Sequence, residues 1–446
     1  MPFRLSNVFA FALTALLAVA AASTAQATKI ERVVSPGGIE IWLVRDATVP
    51  VVALNFAFRG GSAQDPADKP GLSELAVSTL DEGAGELEAS AFQERLERLA
   101  IELQFQSTRD HIRGTIRTLR ENTDEAFELL RLAISQPRFD APAIARMRAQ
   151  MISQLRREST NPNSIARKAW AAAGFPNHPY GRPSNGTIES LEKIDADDMR
   201  GYVRRVLTRD TLKVALVGDI DTATAGKLVD RAFGALPAKA ELKTVPAIVM
   251  QGRGSLSVVE LDVPQAVIML GAPGLARSDP DFMAGYIVNH ILGGGSFSSW
   301  LYEEVREQRG LAYGIYTSLS WYEASAIVVG NTATRSDAAA TTLKVTEDVI
   351  RRMAADGPSQ DELDKAKAYL KGSFALGLDT SSKIAGQLVQ MQLDDLGIDY
   401  IDRRSALIDK VTLADARRVS KRLFEGGLLT TIVGRPKGIT PRNTGG

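Results

Sequence analysis

Apolar runs of strand length recur along the chain at Ile39 to Val44, Val51 to Phe58, His111 to Leu119 and Thr211 to Val217. They are rich in the β-branched and aromatic residues that suit a pleated surface. Between them the apolar spacing changes to the helical period. Asp140 is a candidate N-cap with Pro142 just inside, and Ile144, Met147, Met151 and Leu155 fall on one helical face. Ser90 with Gln93 three residues on predicts a capping box ahead of Leu96 and Leu99. From Gly71 to Leu80, a stripe of Leu72, Leu75, Ala76, Thr79 and Leu80 leaves positions 74, 77 and 78 clustered on the opposite face. Strands interrupted by pairs of helices, without regular β-α-β alternation, predict an α+β fold in which helices lie on one face of a mainly antiparallel sheet.

The pattern occurs twice. Val49 to Phe56 leads to Asp65-Pro66, and Val263 to Leu270 leads to Asp279-Pro280 with the same separation. Leu212 to Gly218 parallels Leu428 to Gly434 at an offset of about 215 residues, taken from the difference of the positions. That is far above the period of a solenoid, so two homologous α/β domains are expected, over 28–240 and 256–436. Pro237, Pro246, Gly252 and Gly254 interrupt any pattern between them, which predicts a linker over 241–255. The polar, Gly- and Pro-containing segment 437–446 is expected to be a disordered tail.

The N-terminus adds a destination. Arg4, the apolar run Val8 to Ala22 and the small-x-small triplet Ala25-Gln26-Ala27 make residues 1–27 read as a cleaved secretory signal, too short and wrongly flanked for a membrane span. An exported, periplasmic protein is the expectation. With no cysteine it has no disulfides to rely on and needs large apolar cores. Fifty-three basic residues balance fifty-three acidic ones, which argues against nucleic acid or an anionic membrane as the main partner.

Only three histidines are present, His111, His178 and His290, and no two stand in i, i+4 relation. No helix face can therefore hold zinc through a histidine pair, and no catalytic triad can be read. Gly60 to Pro66, Pro70 to Leu80, the run His178-Pro179-Tyr180-Gly181-Arg182-Pro183, and Gly186-Thr187 together resemble the insulinase/pitrilysin zinc metallopeptidases, the group that includes the mitochondrial processing peptidases. The resemblance implies an inverted zinc motif at positions 74, 77 and 78 and a third ligand at position 154. These positions hold Glu74, Val77, Ser78 and Gln154, so all four functional residues are replaced. Val77 cannot serve as a base and Ser78 is a poor zinc ligand at neutral pH. Glu74, Ser78 and Gln154 could gather only a hard cation, and such cages need more carboxylates. No metal is expected in this chain. His178, in a loop with no second histidine beside it, reads as a hydrogen-bonded structural group.

In the second half, Asp279-Pro280 is expected to cap a helix running to Leu292. The glycine-rich segment Gly293, Gly294, Gly295 and Ser296 follows, and no Gly-Lys-Ser/Thr makes it a phosphate cradle. By resemblance it is a substrate-contacting loop; by composition alone it is a flexible turn. The segment Trp300 to Tyr316 is similar to the one from which the family sends an arginine and a tyrosine, seven positions apart, toward the active site. Arg306 and Tyr313 match that spacing. A tyrosine hydroxyl can donate to a developing oxyanion, and an arginine fork can hold a peptide backbone. The alternative is that Arg306 caps its helix and Tyr313 packs. The resemblance thus implies the non-zinc subunit of a heterodimeric metalloendopeptidase, half of a clamshell closing on an extended peptide, with zinc in the partner subunit that carries the intact motif. A catalytically inactive structural or peptide-binding homologue, comparable to respiratory-complex core subunits, is the competing reading.

Overall fold

A computed structural model describes residues 29–442. The expected signal, 1–27, and the last four residues of the expected tail lie outside the described residues.

The first half builds β1 (Ile30–Val34), β2 (Glu40–Arg45), β3 (Val51–Arg59), the two-residue ribbon β4 (Gly83–Ala84) and β5 (Leu87–Glu88), then β6 (Glu102–Ser107), β7 (His111–Leu119) and β8 (Lys213–Gly218). Apart from the ribbon these form one sheet in the order β1-β2-β8-β3-β7-β6, antiparallel except for the β2–β8 pair. The second half contributes β9 (Leu256–Glu260), β10 (Gln265–Pro273), β11 (Ala312–Trp321), β12 (Ala326–Arg335) and β13 (Leu429–Gly434). Their order is β11-β12-β10-β13-β9, again with one parallel pair, β13–β9. Each sheet thus places an early long strand, β3 or β10, antiparallel to its last strand, β8 or β13. The sequence repeat is a repeat of topology.

Each sheet is covered on two faces, not one. In the first, Leu54, Phe56, Phe58, Ile112 and Ile116 join the main core beneath the first half's own helices. Trp42, Val44, Ala57, Ala215 and Val217 point the other way, against Ile384, Leu388, Val389 and Met391 of the helix Ser381–Leu393. That helix belongs to the second half; its Gln392 side chain donates to the carbonyl of Val214 at 2.9 Å. The reciprocal contact comes from the helix Pro162–Gly174, which packs on β10 and β13. Trp170 of this helix donates its indole N–H to the carbonyl of Leu429 at 3.1 Å. A Cβ at Gly271 would lie 2.4 Å from the Trp170 ring, so the close seat requires glycine. Each half therefore lends a helix to the other's sheet, burying apolar area worth roughly 25 cal/mol per Å².

Several local expectations change. The helix Ala89–Arg98 is entered through Glu88, and Gln93 donates to the carbonyl of Asp81 at 2.9 Å, so the Ser90–Gln93 capping box does not form. Asp140 is the N-cap of Ala141–Glu158, but its carboxylate pairs with Arg138 at 2.6 Å instead of bonding the helix N-terminus. Ile144, Met151 and Leu155 are buried as the spacing predicts. Within 437–442, Lys437 donates its backbone N–H to the carbonyl of Ser336, and Arg442 meets Leu256. Arg442 exchanges backbone hydrogen bonds with it at 2.7 and 2.9 Å and pairs with Glu347 at 2.6 Å.

Candidate functional site

The helix from Gly71 is six residues long, Leu72–Val77, with Ser78 as its C-cap. Its start is organised by Asp65 of the Gly-Gly-Ser-Ala-Gln-Asp-Pro run, whose carboxylate accepts from the N–H groups of Gly71 (2.8 Å) and Ser73 (2.9 Å). Burial pushes Asp65 up to about 7 despite these donors. Its repeat partner Asp279 lies near the surface, where Arg422 holds its carboxyl low against a smaller effect of burial. The two halves share a fold position and not its electrostatics.

The four replaced positions do not make a metal site. Val77 is 2% exposed and belongs to the hydrophobic core, so the face shared by 74, 77 and 78 is split. Ser78 donates to the carbonyl of Leu75 at 3.2 Å. Glu74 is half-buried, and desolvation pushes its carboxyl up. Gln154 is exposed and donates to Glu158 at 3.0 Å. Glu158 is also held by Lys168 at 2.9 Å; burial raises its carboxyl, but the bonds to Lys168 and Gln154 and their neighbours' positive charge leave it low. Among the described residues no three His, Cys, Asp or Glu side chains are placed to hold a metal. One raised carboxyl, one hydroxyl turned to its own helix and one carboxamide do not fit zinc.

Arg306 and Tyr313 are brought together. Arg306 sits in a π-helical turn, Glu303–Glu307, and its guanidinium lies 4.8 Å from the Tyr302 ring centroid and 4.7 Å from that of Tyr313. Tyr302 is buried and meets Phe297 edge-on at 5.1 Å. Tyr313 is 87% exposed and sits at a register shift between Ala312 and Ile315 of the edge strand β11. The arginine is thus held by cation–π contact on two sides, while the tyrosine is presented and does not pack.

The glycine-rich segment is more constrained than a flexible turn. Gly293 and Gly294 complete a second π-helical turn, His290–Gly294, which extends the helix Phe282–Asn289. Gly293 is buried, and a Cβ there would lie 2.5 Å from the Thr317 hydroxyl and 2.9 Å from its backbone nitrogen. Gly295 is similarly pressed against His290. The flexible-turn expectation is corrected for these positions: Gly293 permits close approach to β11, and Gly294 and Gly295 sit against Asn289 and His290. Ser296 opens a short 3-10 turn that exposes Phe297.

One cluster that couples the halves is not legible in the sequence. Tyr180 donates its hydroxyl to Asp110 at 2.7 Å and accepts from the N–H of Ala324 at 3.0 Å. The second oxygen of Asp110 accepts from the N–H of Glu323 at 3.1 Å. Glu323 in turn takes both Arg59 and His111. Burial would raise the Glu323 carboxyl, yet His111 and Arg59 bring it down to about 2. His178 accepts from the N–H of Tyr180 through Nδ1 (3.1 Å), and its Nε2 meets the carbonyl of Pro246 at 2.9 Å. The His-Pro-Tyr run therefore ties first-half strands, linker and the β11–β12 turn together. His111 shares in this structural network, and His290 stacks on Tyr369 at 5.0 Å.

With this geometry in place, comparison with known proteins is informative. The insulinase (peptidase family M16) model matches residues 40–188, and the peptidase M16 inactive-domain model matches residues 193–370. The non-peptidase homolog YmxG of Helicobacter pylori is 29% identical over 335 residues, 75% of this chain and 77% of that protein. An uncharacterized zinc protease, YmxG of Bacillus subtilis, is 25% identical over 80% of this chain and 86% of its own. The crystal structure of a peptidase M16 inactive domain from Pseudomonas fluorescens superposes with a TM-score of 0.86 at 26% identity, covering 93% of this chain and 99% of that one. A protease structure from Helicobacter pylori, at 19% identity and a TM-score of 0.82, shares the fold.

Proposed function

The chain belongs to the insulinase (M16) peptidase family, and from its replaced metal positions we propose that it is the non-zinc subunit of an exported heterodimeric metalloendopeptidase. The partner is a homologous chain bearing the intact zinc motif, and the substrate is an extended peptide. The observation that carries this reading is the pairing of Arg306 with a Tyr313 whose ring stands in solvent. An exposed tyrosine braced by a guanidinium has a hydroxyl free to meet a peptide carbonyl that develops negative charge. Arg306 supplies the fork that holds the adjoining backbone. The export signal read in residues 1–27 supports a periplasmic site of action.

Tyr313→Phe tests the assignment. It removes one hydroxyl from an exposed ring, so folding and pairing are expected to be unchanged. In the reconstituted pair, kcat should fall roughly a hundred- to a thousand-fold, the usual cost of one lost oxyanion donor. Turnover equal to wild type, with dimer formation verified, would remove Tyr313 from the chemistry. The name of the Helicobacter pylori relative, a non-peptidase homolog, favours a second reading in which the chain only binds peptide. Under that reading the substitution alters affinity, if anything, and no turnover appears in any mixture.

A further inference from the structure

Beside Gln154, the two halves enclose a cavity of about 760 Å³, within the range of ligand sites. Trp170 and Phe175 of the first half meet Met269 and Val329 of the second to form an apolar wall. Arg109, Arg167, Lys168 and Arg182 also line it, with Glu158 as the one lining carboxylate. Lys168 neutralises Glu158 at 2.9 Å.

The three arginines are bonded to neutral oxygens. Arg109 donates to the carbonyl of Arg182 at 3.4 Å and bonds Tyr322; Arg167 donates to the Ser164 hydroxyl at 3.4 Å; Arg182 donates to the carbonyl of Asp65 at 3.3 Å. These bonds are long, and each guanidinium has five N–H donors. Asp65 feels Arg182, but its oxygens are engaged by Gly71 and Ser73. Four cations less one carboxylate leave the cavity with a charge of +3, in a chain whose total is zero. Arg109 and Arg182 are half-buried, and a partly desolvated guanidinium is unfavourable unless an anion completes it; the exposed Arg167, which also acts on Glu158, adds further positive charge.

We propose that this cavity binds a carboxylate-bearing stretch of peptide, with Arg109, Arg167 and Arg182 holding the anion and the Trp170–Phe175 wall seating a neighbouring apolar side chain. The carboxylate comes from an acidic side chain or from the peptide C-terminus. Planar bidentate recognition is what arginine offers over lysine, and the apolar wall excludes a freely hydrated small anion as the best fit. The inference rests on the peptide-handling reading above, and names the class of peptide.

The test uses the chain alone, without a partner. Fluorescence anisotropy is measured with three N-terminally labelled decapeptides of otherwise equal sequence. One carries Glu beside Phe and is C-terminally amidated; one has Gln for Glu and is amidated; one has Gln and a free C-terminus. The amidated Glu peptide or the free-carboxylate peptide is expected to bind about tenfold tighter than the neutral one, the scale of one charge-assisted contact, and whichever does identifies the source. Arg167→Gln alters an exposed residue with a single long bond; it should weaken that peptide about tenfold with an unchanged thermal melt, and Arg109→Gln should act in the same direction. Equal binding of all three peptides, no binding of any, or indifference to both substitutions would overturn the proposal. Turnover of a neutral peptide by the reconstituted pair tests the subunit reading separately, so the two can fail independently.

Discussion

Glu323 shows how one side chain couples the halves. Its carboxyl is held at about 2 by His111 and Arg59 against the opposing effect of burial, below its ordinary value of 4.5. The folded state therefore resists protonation, and on lowering the pH the unfolded chain takes up the proton first. The resulting stability is fully present above pH 4.5 and is lost as pH falls from there toward 2. A carboxylate this partly exposed is screened, so about 1–3 kcal/mol is the scale. Measured by denaturant unfolding, the stability gap between wild type and Glu323→Gln should shrink over that interval; a gap independent of pH would show that the ion pairs do not stabilise the fold. Glu74, Val77, Ser78 and Gln154 give a second expectation. Protein purified without chelator should hold no stoichiometric zinc by elemental analysis, and one tightly held zinc per chain would contradict the account of these positions. The absence of zinc-type residues at 74, 77 and 78 was legible in the sequence because the resembling motif is local, whereas position 154 was reached only through the resemblance of its flanking segments. The Asp110–Tyr180–Ala324 connection was not, because its members are up to 214 positions apart and each is an ordinary residue in its own segment.

At the scale of elements, β2, β3, β7 and β8 were read within one or two residues, since apolar runs such as those of β3 and β7 carry their own signal; β1 and β6, half-buried edge strands with polar positions, were not read. Helix ends were read less well. Gln93 donates to the carbonyl of Asp81 instead of accepting from an N-cap N–H, and the helix after Gly71 stops at Val77 where its side chain enters the core. The π-helical turns at His290–Gly294 and Glu303–Glu307 have no periodic signature at all. They nonetheless place Phe297 and Arg306. Gly293→Ala puts a methyl group against Thr317 and is expected to lower stability by about 1–3 kcal/mol through overpacking. It should also slow turnover by the reconstituted pair as the turn shifts. An unchanged denaturation midpoint would mean that the turn is as pliable as its composition implied.

For the whole molecule, the internal repeat made two similar sheets legible, but the exchange of the helices 162–174 and 381–393 was hidden. Helix 381–393 packs against the first sheet and helix 162–174 against the second, contacts between segments far apart in sequence that only the assembled fold brings together. The exchange makes the two halves one packed body, presenting Arg306 and Tyr313 from the second half and the replaced metal positions from the first. A chain of this family that lacks zinc ligands and displays this pair is accounted for, in our reading, by a partner that supplies the metal. The most direct measurement is the rate of cleavage of an unstructured fluorogenic peptide by three samples: this chain, a homologue with the intact zinc motif, and an equimolar mixture shown by size-exclusion chromatography to contain the heterodimer. The account predicts negligible rates for each chain alone and robust, zinc-dependent turnover for the mixture. A homologue fully active by itself, with a rate unaltered when this chain is added, would contradict it.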